Sequence, residues 1–211
     1  MSDTLIVVRG AFSIEDPWAT PPSCETVRLR RAIDGQAPRL ATTVSAYFDS
    51  RYLNLVFSAA DDYVVASFTD RDDPIYEEDV VEVFLAPDQL SRYFEIEVSP
   101  VGTLFDAQID SPDGIRDTMR ADVSWTPEGL LAGVRKIVEP GLRMTIDTTL
   151  RIPFRSLGRS EPCDGETWRA NFFRIDRHPA EGDEYSAWRP TMCDPADFHV
   201  TSAFGSLKFR V

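Results

Sequence analysis

Positive charge is scarce in this chain. Lys and Arg number 22 against 35 Asp and Glu, giving a formal charge of −13 and a pI near 4.6, and the basic residues form no cluster. A surface of that sign repels phosphate, which excludes nucleic acid and anionic membrane surfaces as partners and leaves neutral or cationic ligands. Cysteine is nearly as rare. Cys24, Cys163 and Cys193 are odd in number, far apart and without C-x-x-C spacing, excluding a disulfide framework and a zinc knuckle; small buried hydrophobes is the expected role. No apolar span reaches 18 residues, and Met1-Ser2-Asp3-Thr4 leads only into a short apolar run ending at Arg9, without a charged n-region and long h-region. As written, the chain is expected to be soluble, not exported, and cytoplasmic. Helical spacing of apolar residues is missing over any long window, as are internal repeats, low-complexity segments and linkers.

What is present is strand after strand. Leu5 to Val8 is short and apolar, and a Pro-rich loop from Asp16-Pro17-Trp18 to Pro21-Pro22 separates it from Thr26 to Ala32. Asp34-Gly35 marks a turn. Thr42 to Phe48 and Tyr52 to Ala59 flank the short polar break Asp49-Ser50-Arg51, and Tyr63 to Phe68 is expected to be a further strand. Asp79 to Leu85 carries branched and large apolar residues around one acid, Glu82. In Tyr93 to Ser99, Phe94, Ile96 and Val98 alternate with Glu95, Glu97 and Ser99; Pro100-Val101-Gly102 then turns into Thr103 to Ile109. Leu130 to Val138 and Arg143 to Ile152 read as a hairpin about Glu139-Pro140-Gly141, and Trp168 to Ile175 and Leu207 to Val211 close the series. About a dozen short strands with turns between them predict an all-β fold, an antiparallel β-sandwich of jelly-roll kind, as a single domain over 1–211 with 43% hydrophobic residues for its core. Trp168 and Trp188 are placed in that core.

Five segments taken together resemble a known family. They are Tyr76-Glu77-Glu78-Asp79-Val80-Val81-Glu82-Val83-Phe84-Leu85, Phe94-Glu95-Ile96-Glu97-Val98-Ser99-Pro100-x-Gly102-Thr103, Trp168-Arg169-Ala170-Asn171-Phe172-x-Arg174-Ile175, Ala187-Trp188-x-Pro190-Thr191, and Phe198-His199 through Phe204-Gly205. In this order and spacing they look like the family 9 carbohydrate-binding modules, over roughly residues 35–211, with 1–34 supplying N-terminal strands and the Pro-rich loop. The resemblance implies a non-catalytic β-sandwich, of a kind usually appended to xylan-degrading enzymes, that clamps a sugar between two aromatic rings. It places the clamp aromatics on Tyr76 and Phe198, where the sugar-binding members carry Trp, and the acid that meets sugar hydroxyls on Glu82. Asn171 and Arg174 join the implied ligand residues. On the neighbouring strand, where those members present Arg and Asn, this sequence has Glu97 and Ser99. That exchanges a cation and an amide for a second carboxylate.

Other readings stand beside these. Tyr76 is equally placed to cover a core edge, and Phe198 to belong to the core. Glu95 and Glu97 share a face of a strand expected to pair with that of Glu82, so like charges would oppose each other unless Arg169, Arg174 or a bound Ca²⁺ intervened. Family relatives often hold Ca²⁺, and the acidic loops Asp61-Asp62, Asp70 to Asp73 and Glu181 to Glu184 are candidates. A glycoside hydrolase using Glu82 with Glu95 or Glu97 is a second function. An open sandwich face is expected to lack the desolvating pocket that chemistry needs. A haem-binding or protein-interaction sandwich with Met192 and His199 as axial ligands is a third.

Overall fold

The computed structural model describes residues 3–138 and 143–211; the expected turn at Glu139-Pro140-Gly141 lies outside them. The strands are β1 (Thr4–Arg9), β2 (Thr26–Arg28), β3 (Arg30–Arg31), β4 (Thr42–Phe48), β5 (Tyr52–Asp61), β6 (Val80–Ala86) and β7 (Arg92–Val98). They continue with β8 (Leu104–Asp110), β9 (Arg120–Asp122), β10 (Leu131–Val138), β11 (Met144–Pro153), β12 (Thr167–Asp176), β13 (Glu184–Ala187) and β14 (Gly205–Arg210). Among the described residues helices are confined to 3-10 turns, and none is long and apolar enough to cross a membrane.

The fold is all-β, and the ladder runs β10-β11-β5-β4-β1-β14-β12-β6-β7-β8-β9. It is mixed rather than purely antiparallel, because β1 pairs in parallel with both β14 and β4. Leu5 and Val7 of that strand are wholly buried, so the N-terminal segment joins the two ends of the chain in one core. The halves of the ladder fold over each other as a sandwich does. Phe57 of β5 meets Phe172 of β12 edge-on at 6.0 Å, and Phe48 of β4 meets Phe209 of β14 at 5.3 Å. Trp168 and Trp188 lie in this core, as the apolar context predicts. Gly205 is required for it: a Cβ there would stand 2.5 Å from the Trp188 ring.

Strands β6, β7, β8 and β12 are covered on their second face as well. A second apolar cluster forms there from Phe84, Tyr93, Phe105 and Phe173 under Phe198 and Phe204, which is why β6 is buried at every position and reads as a continuous apolar run.

Three expectations are corrected. Tyr63 to Phe68 is not a strand: its amides are taken by carboxylates, Val65 N–H by Asp79 (2.7 Å) and Ser67 N–H by Glu78, so no ladder forms. Thr26 to Ala32 is broken at Leu29, because β2 pairs with β4 while β3 turns to β13. The cysteines are not core residues; Cys163 is exposed, and Cys24 and Cys193 are half-buried.

Candidate functional site

The alternation of β6 and β7 sends Val81, Val83, Phe94, Ile96 and Val98 into the sandwich core and Glu82, Glu95 and Glu97 to the other face. Glu82 stands directly opposite Glu97. One carboxylate oxygen from each of the three glutamates lies within 4.8 Å of the other two. They face a cleft of about 500 Å³, within the range of small-molecule sites.

Four of the seven residues implied as ligand-binding meet there: Tyr76, Glu82, Glu97 and Phe198. Tyr76 rides a 3-10 turn pinned by the buried Ile75, is 43% exposed, and stands edge-on to Phe105 at 5.4 Å. Phe198 also lines the cleft but is only 8% exposed, with one face stacked on Phe173 at 4.2 Å. Tyr76 thus offers an open ring, whereas Phe198 offers an edge.

The other three lie elsewhere. Ser99 caps the turn before β8, its Oγ accepting the N–H groups of Val101 and Thr103. Asn171 is wholly buried and tied in both directions to the Arg189 backbone. Arg174 sits one residue out of register, opposite Val81, so its side chain enters the opposite layer and ion-pairs with Asp61 at 2.9 Å and Asp176 at 3.4 Å. Arg169 donates to the Phe204 and Gly205 carbonyls. Neither arginine neutralises the glutamates.

The electrostatics follow from burial. Glu82 is 2% and Glu97 0% exposed; Glu82 Oε1 lacks a hydrogen-bond partner, and the Glu97 oxygens meet no donor other than the carboxyl of Glu95. Desolvation, then the like charge of its neighbours, raises the pKa of each well above the ordinary carboxylate range, and desolvation pushes Glu95 up to about 7. An open face without desolvation was the argument against acid–base chemistry, and this cleft does not have that property.

Sequence reasoning did not single out Arg116 and Arg177, which also line the cleft. Arg116 comes from the turn-rich segment before β9 and pairs with Asp197, while Arg177 pairs with Asp183. Asp79, the first acid of the D-x-V-E motif, proves to be a brace: its carboxylate accepts Val65 N–H at 2.7 Å and Arg177 N–H at 2.6 Å, and burial raises its pKa to about 6. His199 lines the cleft, its Nδ1 2.7 Å from the Tyr93 hydroxyl. Met192 is exposed and does not line it, which removes the basis for axial haem ligation by that pair.

The acidic loops considered for Ca²⁺ are engaged by protein donors. Asp61, Asp79 and Asp176 converge within 4.8 Å, but the Arg174 guanidinium supplies the cation there. Asp62 is bound by Arg39, Glu184 accepts Arg39 N–H, and Asp73 accepts Asp70 N–H. A larger groove of about 1150 Å³ beside Trp125 carries solvated charge such as the Arg92–Asp110 pair and gathers no buried polar group.

Comparison with known proteins agrees with this architecture. The chain is similar over its whole length to a candidate carbohydrate-binding protein from Bacteroides uniformis (TM-score 0.76, 18% identity, all of both chains covered). It is also similar to a family 9 carbohydrate-binding module from Caldicellulosiruptor kristjanssonii. In that module's cellotriose complex the TM-score is 0.61 at 13% identity, with 98% of this chain and 93% of the module covered; in its glucose complex the values are 0.61, 14%, 98% and 95%. In sequence it is 27% identical over 214 residues to an "Extracellular protein" of Arthroderma benhamiae, covering 95% of this chain and 94% of that one. The sequence model of carbohydrate-binding family 9 matches residues 35–209, most of the chain and all of the strands that build the cleft, and the protein is accordingly a carbohydrate-binding domain belonging to that family.

Proposed function

We propose that the cleft over Glu82, Glu95 and Glu97 is the saccharide site, with Tyr76 as its stacking platform. The observation that carries this reading is the convergence, in one cleft, of an exposed aromatic face with buried carboxylate oxygens that have no internal partner. A pyranose presents polarised C–H groups on its faces and hydroxyls on its rim. The former pack on a π-face, and the latter donate to carboxylates and accept from Arg116 and Arg177. With one open ring rather than two, the sugar is held against Tyr76 and the cleft wall at Phe198, not sandwiched. The relatives' complexes with glucose and cellotriose favour a gluco-configured ligand, and xylo-oligosaccharides share that ring's equatorial hydroxyls.

The site binds without turnover. Glycosidases place two carboxyl groups on opposite sides of a glycosidic bond, whereas here three share one wall of the cleft on the adjacent strands β6 and β7. Desolvation that could arm an acid is present, so the hydrolytic reading is to be tested directly with aryl glycosides and xylan. Calorimetric titration with glucose, cello-oligosaccharides and xylo-oligosaccharides tests the binding reading. The expected outcome is binding that Tyr76→Ala weakens several-fold, since an aromatic contact contributes about 1 kcal/mol beyond burial. Indifference of the folded protein to every sugar would overturn it, and hydrolysis abolished by Glu82→Gln would install the enzyme in its place.

A further inference from the structure

We propose that Glu82, Glu95 and Glu97, together with the Nε2 atom of His199, form a site for one divalent transition-metal ion, Mn²⁺ being the best match, on the floor of the cleft. Three carboxylates whose oxygens lie within 4.8 Å of one another have the footprint of ligands around a single ion. Clustered acids alone would not carry this. What points to a ligand is that Glu82 Oε1 is buried and without a partner and that the buried Glu97 carboxyl meets only another acid, Glu95, a condition that is costly unless a proton or a cation enters to meet them.

No protein cation does so among the described residues. Arg116 and Arg177 reach the cleft but are matched by Asp197 and Asp183, and Arg169 and Arg174 are engaged elsewhere. Three glutamates are left, whose carboxyl protons an entering divalent cation would displace.

His199 supplies the second line of evidence. Tyr93 OH lies 3.3 Å from Met119 Sδ and 2.7 Å from His199 Nδ1. A hydroxyl has one proton, so both contacts are hydrogen bonds only when it is donated to the sulfur and the Tyr93 oxygen accepts Nδ1–H from His199. That tautomer leaves Nε2 with a lone pair, 4.0 Å from Glu95 Oε1. Two acceptors at that distance are too far apart for a direct bond, which leaves room for one ion to be bonded to both. An imidazole oriented through its other nitrogen is the usual arrangement of a metal ligand. A donor set of three carboxylates and one imidazole suits Mn²⁺ better than Ca²⁺, which takes oxygen ligands.

The test uses the full chain stripped of metal. Titration with MnCl₂, followed by electron paramagnetic resonance, should show one Mn²⁺ per chain with a nitrogen hyperfine coupling from the His199 ring. Binding should weaken at least tenfold in Glu97→Gln, and the coupling should vanish in His199→Ala. Ca²⁺ should bind at least tenfold more weakly than Mn²⁺. Circular dichroism verifies that each variant is folded, and the nitrogen coupling in the unaltered protein decides the matter should a variant fail to fold. No Mn²⁺ uptake, uptake without nitrogen coupling, undiminished uptake by folded Glu97→Gln, or equal affinity for Ca²⁺ would each overturn the assignment. Both readings place a ligand on the same glutamates, and the two assays tell them apart: Mn²⁺ uptake by a protein indifferent to sugars sustains this inference and sinks that one, and sugar binding without Mn²⁺ uptake does the reverse.

Discussion

Replacing Glu97 with Gln should stabilise the metal-free protein at alkaline pH and leave it nearly unchanged at pH 4. Glu97 is wholly buried, faces Glu82 across the β6–β7 ladder, and meets only other acids. Its carboxylate oxygens approach those of Glu82 and Glu95 within 4.8 Å, and two unit charges at that separation repel by about 3.5 kcal/mol at an effective dielectric of about 20. Removing one charge can return at most a gain of that order; the substituted amide, moreover, can donate N–H to the remaining carboxylates. The sign of the pH dependence follows from the raised pKa values. Between an unfolded pKa of about 4.3 and the folded values, which are well raised for Glu82 and Glu97 and about 7 for Glu95, the native state holds protons that the unfolded chain releases. Stability is therefore fully present below the unfolded pKa and declines as pH climbs through that window. Urea unfolding followed by Trp fluorescence, in EDTA, should show Glu97→Gln more stable by about 2–3 kcal/mol at pH 8 and by less than about 0.5 kcal/mol at pH 4. A variant no more stable than the parent at pH 8 would refute the argument that these glutamates are buried against one another.

The remaining expectations concern the cleft wall and the two packed layers. Phe198→Ala, which removes the ring stacked on Phe173 at 4.2 Å, should cost about 3 kcal/mol, measured by urea unfolding, whereas Tyr76→Ala at its exposed turn should cost under about 1 kcal/mol. Arg174→Ala strands Asp61 and Asp176 and should lower stability by about 3–5 kcal/mol; a melting temperature equal to the parent's would show that the pair is not buried as described. Gly205→Ala drives a methyl to 2.5 Å from Trp188 and 3.1 Å from the Asp3 carbonyl, and should cost about 1–3 kcal/mol, visible in the same assay together with altered near-UV dichroism of the indole.

Alternation in the chain was enough to settle the fold class and which side of each strand faces the core. Phe94, Ile96 and Val98 against Glu95 and Glu97 is a period-two pattern, and it fixes the glutamates on one face whatever the strand pairs with. The family motifs added Tyr76, Phe198 and Glu82, which the fold does bring to one cleft. Pairing is where local sequence stopped. Whether Glu97 or Glu95 stands opposite Glu82 depends on register, a property of two strands together. That Arg174 turns away to Asp61 depends on its one-residue offset from Phe173, the residue that β12 sets against Glu82. Tyr63 to Phe68 has the composition of a strand, yet carboxylates from residues 78 and 79 claim its amides first. Tertiary structure alone decided the desolvation of the glutamates. A strand that reads as half-solvated is buried on both faces because the segment around residues 198–204 folds back across it, and a carboxylate's pKa is set by what covers it, not by its neighbours in the chain.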